Sequence, residues 1–193
     1  MELSLDLSKR YSYADYLTWI DDRRRELING FVKMMSPAPT RKHQEISGDL
    51  YGRLWNYLQD RPCKVFHAPF DVRLPQHHET DNHEIFTVVQ PDICIICDQS
   101  KLDERGCIGA PDLIIEIVSP ASAQIDTKDK FQIYQDSGVR EYWIVFPEEK
   151  VIQIFLLTDG KYELRGMYAG DSKAPVAIFN DVLTIDLPQV FKD

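Results

Sequence analysis

Two apolar runs constrain this chain most, because each carries an acidic residue where a buried strand ordinarily has none. The first is P-D-I-C-I-I-C-D, opened by Pro91 and Asp92; the second is P-D-L-I-I-E-I-V-S-P, with Glu116 at its middle. Nearly continuous apolar runs of this length are the pattern of central strands covered on both faces. A carboxylate inside such a strand carries a desolvation cost unless it is paired or coordinates a cation. Glu116 has Ile114 and Val118 as same-face neighbours, so a solvent-facing stripe does not account for it. Spacing alone leaves two readings open. The acids pair with a nearby Arg or Lys, or they share one hard divalent cation through oxygen, typically Mg²⁺, from adjacent strands 24 residues apart.

The rest of the chain supplies the frame around those strands. Its 193 residues show no repeat, low-complexity tract or separating linker, and fit a single domain over 1–193. In S-Y-A-D-Y-L-T-W-I-D-D, Ser12 and Asp15 have the spacing of a capping box, with Leu17 and Ile20 as the inner face. Asn29-Gly30 between two apolar pairs predicts a tight hairpin in which Glu26 faces Lys33. Thr40 can cap the longest helix, which runs to about Gln59 with Ile46, Leu50, Leu54, Tyr57 and Leu58 at helical spacing. His43 falls on that inner stripe, either as a site contact or as a satisfied helix histidine. Strands are predicted near Lys64–Leu74, Phe86–Cys97 and Asp112–Val118. A short helix follows, starting at Asp126 or Thr127 and closed by Gly138. Tyr142–Phe146 and Val151–Leu157 then read as strands, with short edge strands from Lys161 onward. The expected class is α/β, with a mixed central β-sheet flanked by helices.

Charge and cysteine content exclude some functions. Lys plus Arg is 22 and Asp plus Glu is 31, giving −9, so the chain does not grip nucleic acid by overall charge, although a local basic cleft is compatible with it. Arg23–Arg25 and Arg41–Lys42 are either phosphate contacts or a solvated face. No apolar run approaches the roughly 20 residues of a membrane helix. The first ten residues have neither a basic nor an apolar signal region. The expectation is therefore a cytoplasmic protein whose Cys63, Cys94, Cys97 and Cys107 are reduced thiols. Cys94 and Cys97 would point to opposite faces of a strand, which argues against a shared zinc. Gln76–Glu84, with three histidines, reads as an exposed loop.

Four blocks in order carry a resemblance. These are R-R-R-E-L-I-N-G, V-V-Q-P-D-I-C-I-I-C-D, G-A-P-D-L-I-I-E-I-V-S-P and K-F-Q-I-Y-Q-D-S-G-V-R-E-Y-W-I-V. Together they resemble the Uma-two family of bacterial endonucleases, within the PD-(D/E)XK superfamily. The resemblance implies a restriction-endonuclease-like core and a Mg²⁺-dependent endonuclease acting on DNA, with Mn²⁺ able to substitute, and a possible homodimer. It implies Asp92 and Glu116 as metal ligands. The superfamily's lysine position, two residues after the second acid, is Val118 here. In families of this kind the lysine moves to the following helix, where Lys130 stands at the matching place, and Glu26 matches an N-terminal acidic position that completes the site. Two other classes remain beside this one: a catalytically idle nucleic-acid-binding or regulatory module, and an interaction protein using the aromatic hairpin E-Y-W-I-V-F to V-I-Q-I-F as a dimer face.

Overall fold

Pro69 and Pro91 each break what the sequence reads as one strand, and each break carries the chain from one sheet to another. Proline has no N–H to give a ladder and is excluded from strand interiors. The computed structural model describes residues 5–35, 38–77, 79–119 and 128–192. In chain order the elements are α1 (Tyr13–Tyr16), β1 (Arg25–Ile28), β2 (Phe31–Met34), α2 (Arg41–Leu58), β3 (Lys64–His67), β4 (Asp71–Arg73), β5 (Val88–Val89) and β6 (Ile93–Ile96). They continue with β7 (Leu102–Asp103), β8 (Gly106–Ile108), β9 (Leu113–Ile117), α3 (Lys130–Ser137), β10 (Glu141–Phe146), β11 (Val151–Thr158), β12 (Lys161–Ala169), β13 (Lys173–Pro175), β14 (Thr184–Asp186) and α4 (Leu187–Val190). The predicted strand 64–74 is thus β3 plus β4, and 86–97 is β5 plus β6.

The central sheet has the order β12-β11-β10-β9-β6-β3 and is mixed. β9 and β10 run parallel, joined through α3, while the other neighbours are antiparallel. A second mixed sheet has the order β2-β1-β5-β4-β8-β7, and β13 pairs with β14. The two apolar runs lie side by side as expected, with Ile93 opposite Ile115 and Cys94 opposite Ile114. One further step in that register sets Asp92 across from Glu116.

Strand alternation decides which side chain meets which helix. Ile93, Ile95, Leu113, Ile115, Ile117, Trp143 and Val145 pack in one core with Ile46, Leu50, Leu54 and Leu58 of α2. Cys94, Ile96, Ile114, Tyr142 and Ile144 pack in the other, with Tyr134 of α3 and with Val72 and Val89 of the second sheet. Glu116 shares the face of Ile114, so it points toward α3. Thr40 caps α2 as expected, its hydroxyl accepting the His43 N–H at 3.2 Å. The Ser12–Asp15 capping box also forms, but α1 ends after one turn and Ile20 is 96% exposed rather than facing inward.

The hairpin β1–β2 forms at Asn29-Gly30, both with positive φ (53° and 86°), and Glu26 faces Lys33. Asp159-Gly160 makes the same kind of turn and leads into β12, one long strand where short edges were expected. Regular α3 begins at Lys130 after a π turn at Lys128–Asp129, and Gly138 closes it in the left-handed region (φ 87°). The predicted start at Asp126 or Thr127 lies outside the described residues.

One expectation fails outright. Cys63 and Cys97 form a disulfide, whereas all four cysteines were expected to be reduced. The β3–β6 register pairs Lys64 with Ile96, so one step further places the two cysteines opposite each other across strands. Cys94 and Cys107 are free and buried. Cys94 and Cys97 do lie on opposite faces: Cys94 belongs to the α3-side core, while Cys97 packs against the α2-side core.

Candidate active site

Three elements distant in sequence deliver Glu26, Glu116 and Lys130 to one point. Lys130 Nζ, at the first turn of α3, lies 2.9 Å from Glu26 Oε1 on β1 and 2.9 Å from Glu116 Oε1 on β9. All three side chains are buried. The Tyr134 hydroxyl, one helical turn after Lys130, donates to Glu116 Oε1 at 2.7 Å. Burial, reinforced by Glu116 and Glu26, pushes the Tyr134 phenol well above its ordinary value, so it stays a neutral donor. The backbone N–H of Gln90 donates to Glu26 Oε1 at 2.8 Å.

Asp92 stands at the sheet end beside this cluster. Its Oδ2 accepts the Ile117 N–H at 2.8 Å and lies 3.2 Å from His43 Nε2. Asp92 is thus tied to the residue that follows Glu116. His43 reaches Asp92 from the first turn of α2. Tyr134, Gln90 and the Ile117 amide escape a reading of the sequence. Only Tyr134 left a local signal, since it lies four residues after Lys130 on one helix face.

The expected phosphate contacts divide. Arg25 is buried and paired with Asp21 at 2.5 Å, so it is structural. That pairing holds the Asp21 carboxyl down at about 2. Arg23, Arg24 and Arg41 are exposed. Arg24 donates to the Gln90 side-chain oxygen at 3.1 Å, and Lys42 pairs with Glu148 at 3.0 Å. His77 and His83 of the histidine-rich loop are exposed, while His78 is outside the described residues.

Among the described residues, no three His, Cys, Asp or Glu side chains are gathered closely enough to cage a metal ion. The donor set nonetheless fits a hard divalent cation in its chemistry. Among the described residues, three carboxylates (Asp92, Glu116 and Glu26) and one lysine ammonium stand at this end of the sheet. Asp92 and Glu26 each make their bonds through one oxygen. Asp92 Oδ1 and Glu26 Oε2 therefore receive no hydrogen bond from another described residue.

A mixed central sheet flanked by helices, with a second sheet beside it, is a restriction-endonuclease-like fold. Residues 13–187 match the Uma2 family, described as "Putative restriction endonuclease", and the chain belongs to that family. A protein of Synechocystis sp. (strain ATCC 27184 / PCC 6803 / Kazusa), named "Uncharacterized protein slr1290", is 23% identical over 153 residues, 78% of this chain and 76% of that one. A crystal structure from Anabaena variabilis ATCC 29413, described as "a putative nuclease belonging to DUF820", shares the fold with a TM-score of 0.73 at 19% identity. That likeness covers 94% of this chain and 97% of the other. The fold class expected from the sequence is therefore the observed one. No helix among the described residues is long and apolar enough to cross a membrane.

Proposed function

We propose that the chain acts as one domain that hydrolyses DNA phosphodiester bonds internally, as a Mg²⁺-dependent endonuclease in which Mn²⁺ can substitute. The observation that carries this reading is the convergence of Glu26, Glu116 and Lys130 within hydrogen-bond distance, with Asp92 across from Glu116. Asp92 and Glu116 would hold the ion. Bound there, a divalent cation polarises a phosphate oxygen and lowers the pKa of water.

The chain's own residues do the remaining work. His43 and the Ile117 amide fix the Asp92 carboxylate through one oxygen and leave the other to a ligand. Glu26, itself held by the Gln90 amide, keeps Lys130 Nζ at the site when Glu116 is otherwise engaged. Lys130 then supplies a fixed positive charge against the negative charge that builds on the phosphoryl group. Tyr134 orients Glu116 and, with its phenol raised, contributes a proton donor rather than a further anion. An idle module would require none of this arrangement.

The reading places the enzyme with its substrate in the cytoplasm, where the thiol pool would govern the Cys63–Cys97 pair. A second copy would serve the second strand of a duplex. Calorimetric titration with Mn²⁺ tests the ligand assignment without requiring turnover. The wild type is expected to bind Mn²⁺, and Asp92→Asn to lose most of that affinity while keeping its fold. Equal affinity in the two proteins would refute the assignment.

A further inference from the structure

Beside the candidate site lies an open cleft of about 500 Å³, within the range of small-ligand sites. Phe66 and Phe70 line it as a stacked pair, with ring centroids 4.2 Å apart and planes 12° from parallel. Asp71 and Gln90 line it as well. Asp71 Oδ1 accepts the Gln90 Nε2–H at 2.9 Å, and Oδ2 accepts the Tyr13 hydroxyl at 2.9 Å. The carboxylate is therefore held rigid by two neutral donors, and each oxygen keeps a second lone pair. The opposite backbone presses close: a Cβ on Gly106 (φ +140°) would meet the Asp71 carbonyl oxygen at 2.1 Å. Asp103 pairs with Arg73 at 2.5 Å, and Glu104 and Arg105 also line the cleft, so Asp71 is the lining carboxylate that neutral donors hold in place on both oxygens.

Two bonds connect this cleft to the candidate site. Gln90, whose side chain lines the cleft, gives its backbone N–H to Glu26. The Ala68 N–H, between the two phenylalanines, donates to the Asp92 carbonyl at 3.0 Å. A group seated in the cleft is thus one or two residues from the carboxylates.

We propose that the cleft takes one unstacked guanine base of the nucleic acid being cut. This rests on the nuclease reading above. The cleft joins a flat apolar wall to a fixed carboxylate with two acceptors side by side. Guanine presents a π face and two adjacent donors, N1–H and the 2-amino group. Adenine and cytosine each place an acceptor beside their amino donor, and thymine flanks its single donor with carbonyls. Stacking on aromatic side chains and reading of the base edge is how proteins select unpaired bases. An arginine side chain is the other planar group with paired donors, and only a peptide would bring it.

Fluorescence anisotropy, without added divalent cation, tests this with two labelled heptanucleotides of thymidine, one with guanosine at its centre and one with inosine, which lacks the 2-amino group. The wild type is expected to bind the guanosine oligomer about tenfold more tightly. Asp71→Asn should bring the two within about twofold, and Phe66→Leu should weaken both. The wild-type comparison stands even if a variant fails to fold. Equal affinity for the two oligomers, or no binding of either, overturns the proposal. So does tighter binding of a labelled Gly-Arg-Gly peptide that depends on Asp71. A wild type that prefers guanosine but cleaves no nucleic acid upholds the cleft and sinks the nuclease reading. One that cleaves but binds both oligomers alike does the reverse.

Discussion

Lys130 Nζ lies 2.9 Å from Glu116 Oε1, and this ion pair is buried in the core face between β9 and α3. A second carboxylate, Glu26, sits at the same distance from that ammonium. One ammonium thus pairs with two buried carboxylates, and removing it takes that contact from both. Lys130→Ala should cost about 3–5 kcal/mol, or a fall in Tm of roughly 6–20 °C for a domain of this size. A bound divalent cation would replace the missing charge, so saturating Mn²⁺ should raise the Tm of this variant more than that of the wild type. Differential scanning calorimetry with and without Mn²⁺ measures both effects.

The Cys63–Cys97 bond closes a loop with a sequence separation of 34 residues, running from just before β3 through both crossings between the sheets to just after β6. In the chain-entropy account such a loop contributes about 3–4 kcal/mol by restricting the unfolded chain. Tm should therefore fall when a thiol reductant is added, and Cys63→Ser should show the lowered Tm without any reductant. A wild type whose Tm ignores reductant would contradict the bond.

Glu141 is a buried carboxylate remote from the candidate site, and it fastens the C-terminal segment to β10. It accepts the Trp143 indole N–H at 2.7 Å and the backbone N–H groups of Ile178 and Ala177 at 2.8 Å and 3.1 Å. Glu141→Ala would strand three donors and should cost about 3–5 kcal/mol. Burial nevertheless pushes its carboxyl above the ordinary 4.5. The folded state therefore binds this proton more tightly than the unfolded chain does. Its contribution to stability is present in full below 4.5 and is lost as pH rises through the folded value. Asp21 works the other way. Held at about 2 by Arg25, it contributes above its ordinary 3.8, and that contribution fades as pH falls toward 2. Denaturation across pH 2–7 should show the acid-side loss shrink in Asp21→Asn.

Local signals were legible in the sequence, and contacts between distant segments were not. The Asn29-Gly30 turn, the Thr40 cap, the Gly138 stop and the apolar runs around Asp92 and Glu116 each depend on a few neighbouring residues, and each is present. The strand breaks at Pro69 and Pro91 were written in the prolines but overruled by the apolar pattern on either side. The meeting of Lys130 with both acids came from the family resemblance. The Tyr134 and Gln90 bonds depend on how α3 and β1 settle against the sheet. Arg25 and Cys63 show the same limit: neither Asp21 as the partner of buried Arg25 nor Cys97 as a cross-strand neighbour of Cys63 can be read from spacing alone.

Chemistry by the acids at the end of the central sheet is directly testable. The direct measurement is cleavage of supercoiled plasmid DNA by wild type and by Glu116→Gln, with Mg²⁺ or Mn²⁺ and with EDTA, beside the Tm of each protein. Lys130 keeps Glu26 as its partner in the variant, so the Tm should stay near the wild-type value. The account predicts metal-dependent cleavage by the wild type, none with EDTA, and none by Glu116→Gln. Cleavage by Glu116→Gln at the wild-type rate, or a wild type that cuts no DNA with either metal, would contradict it.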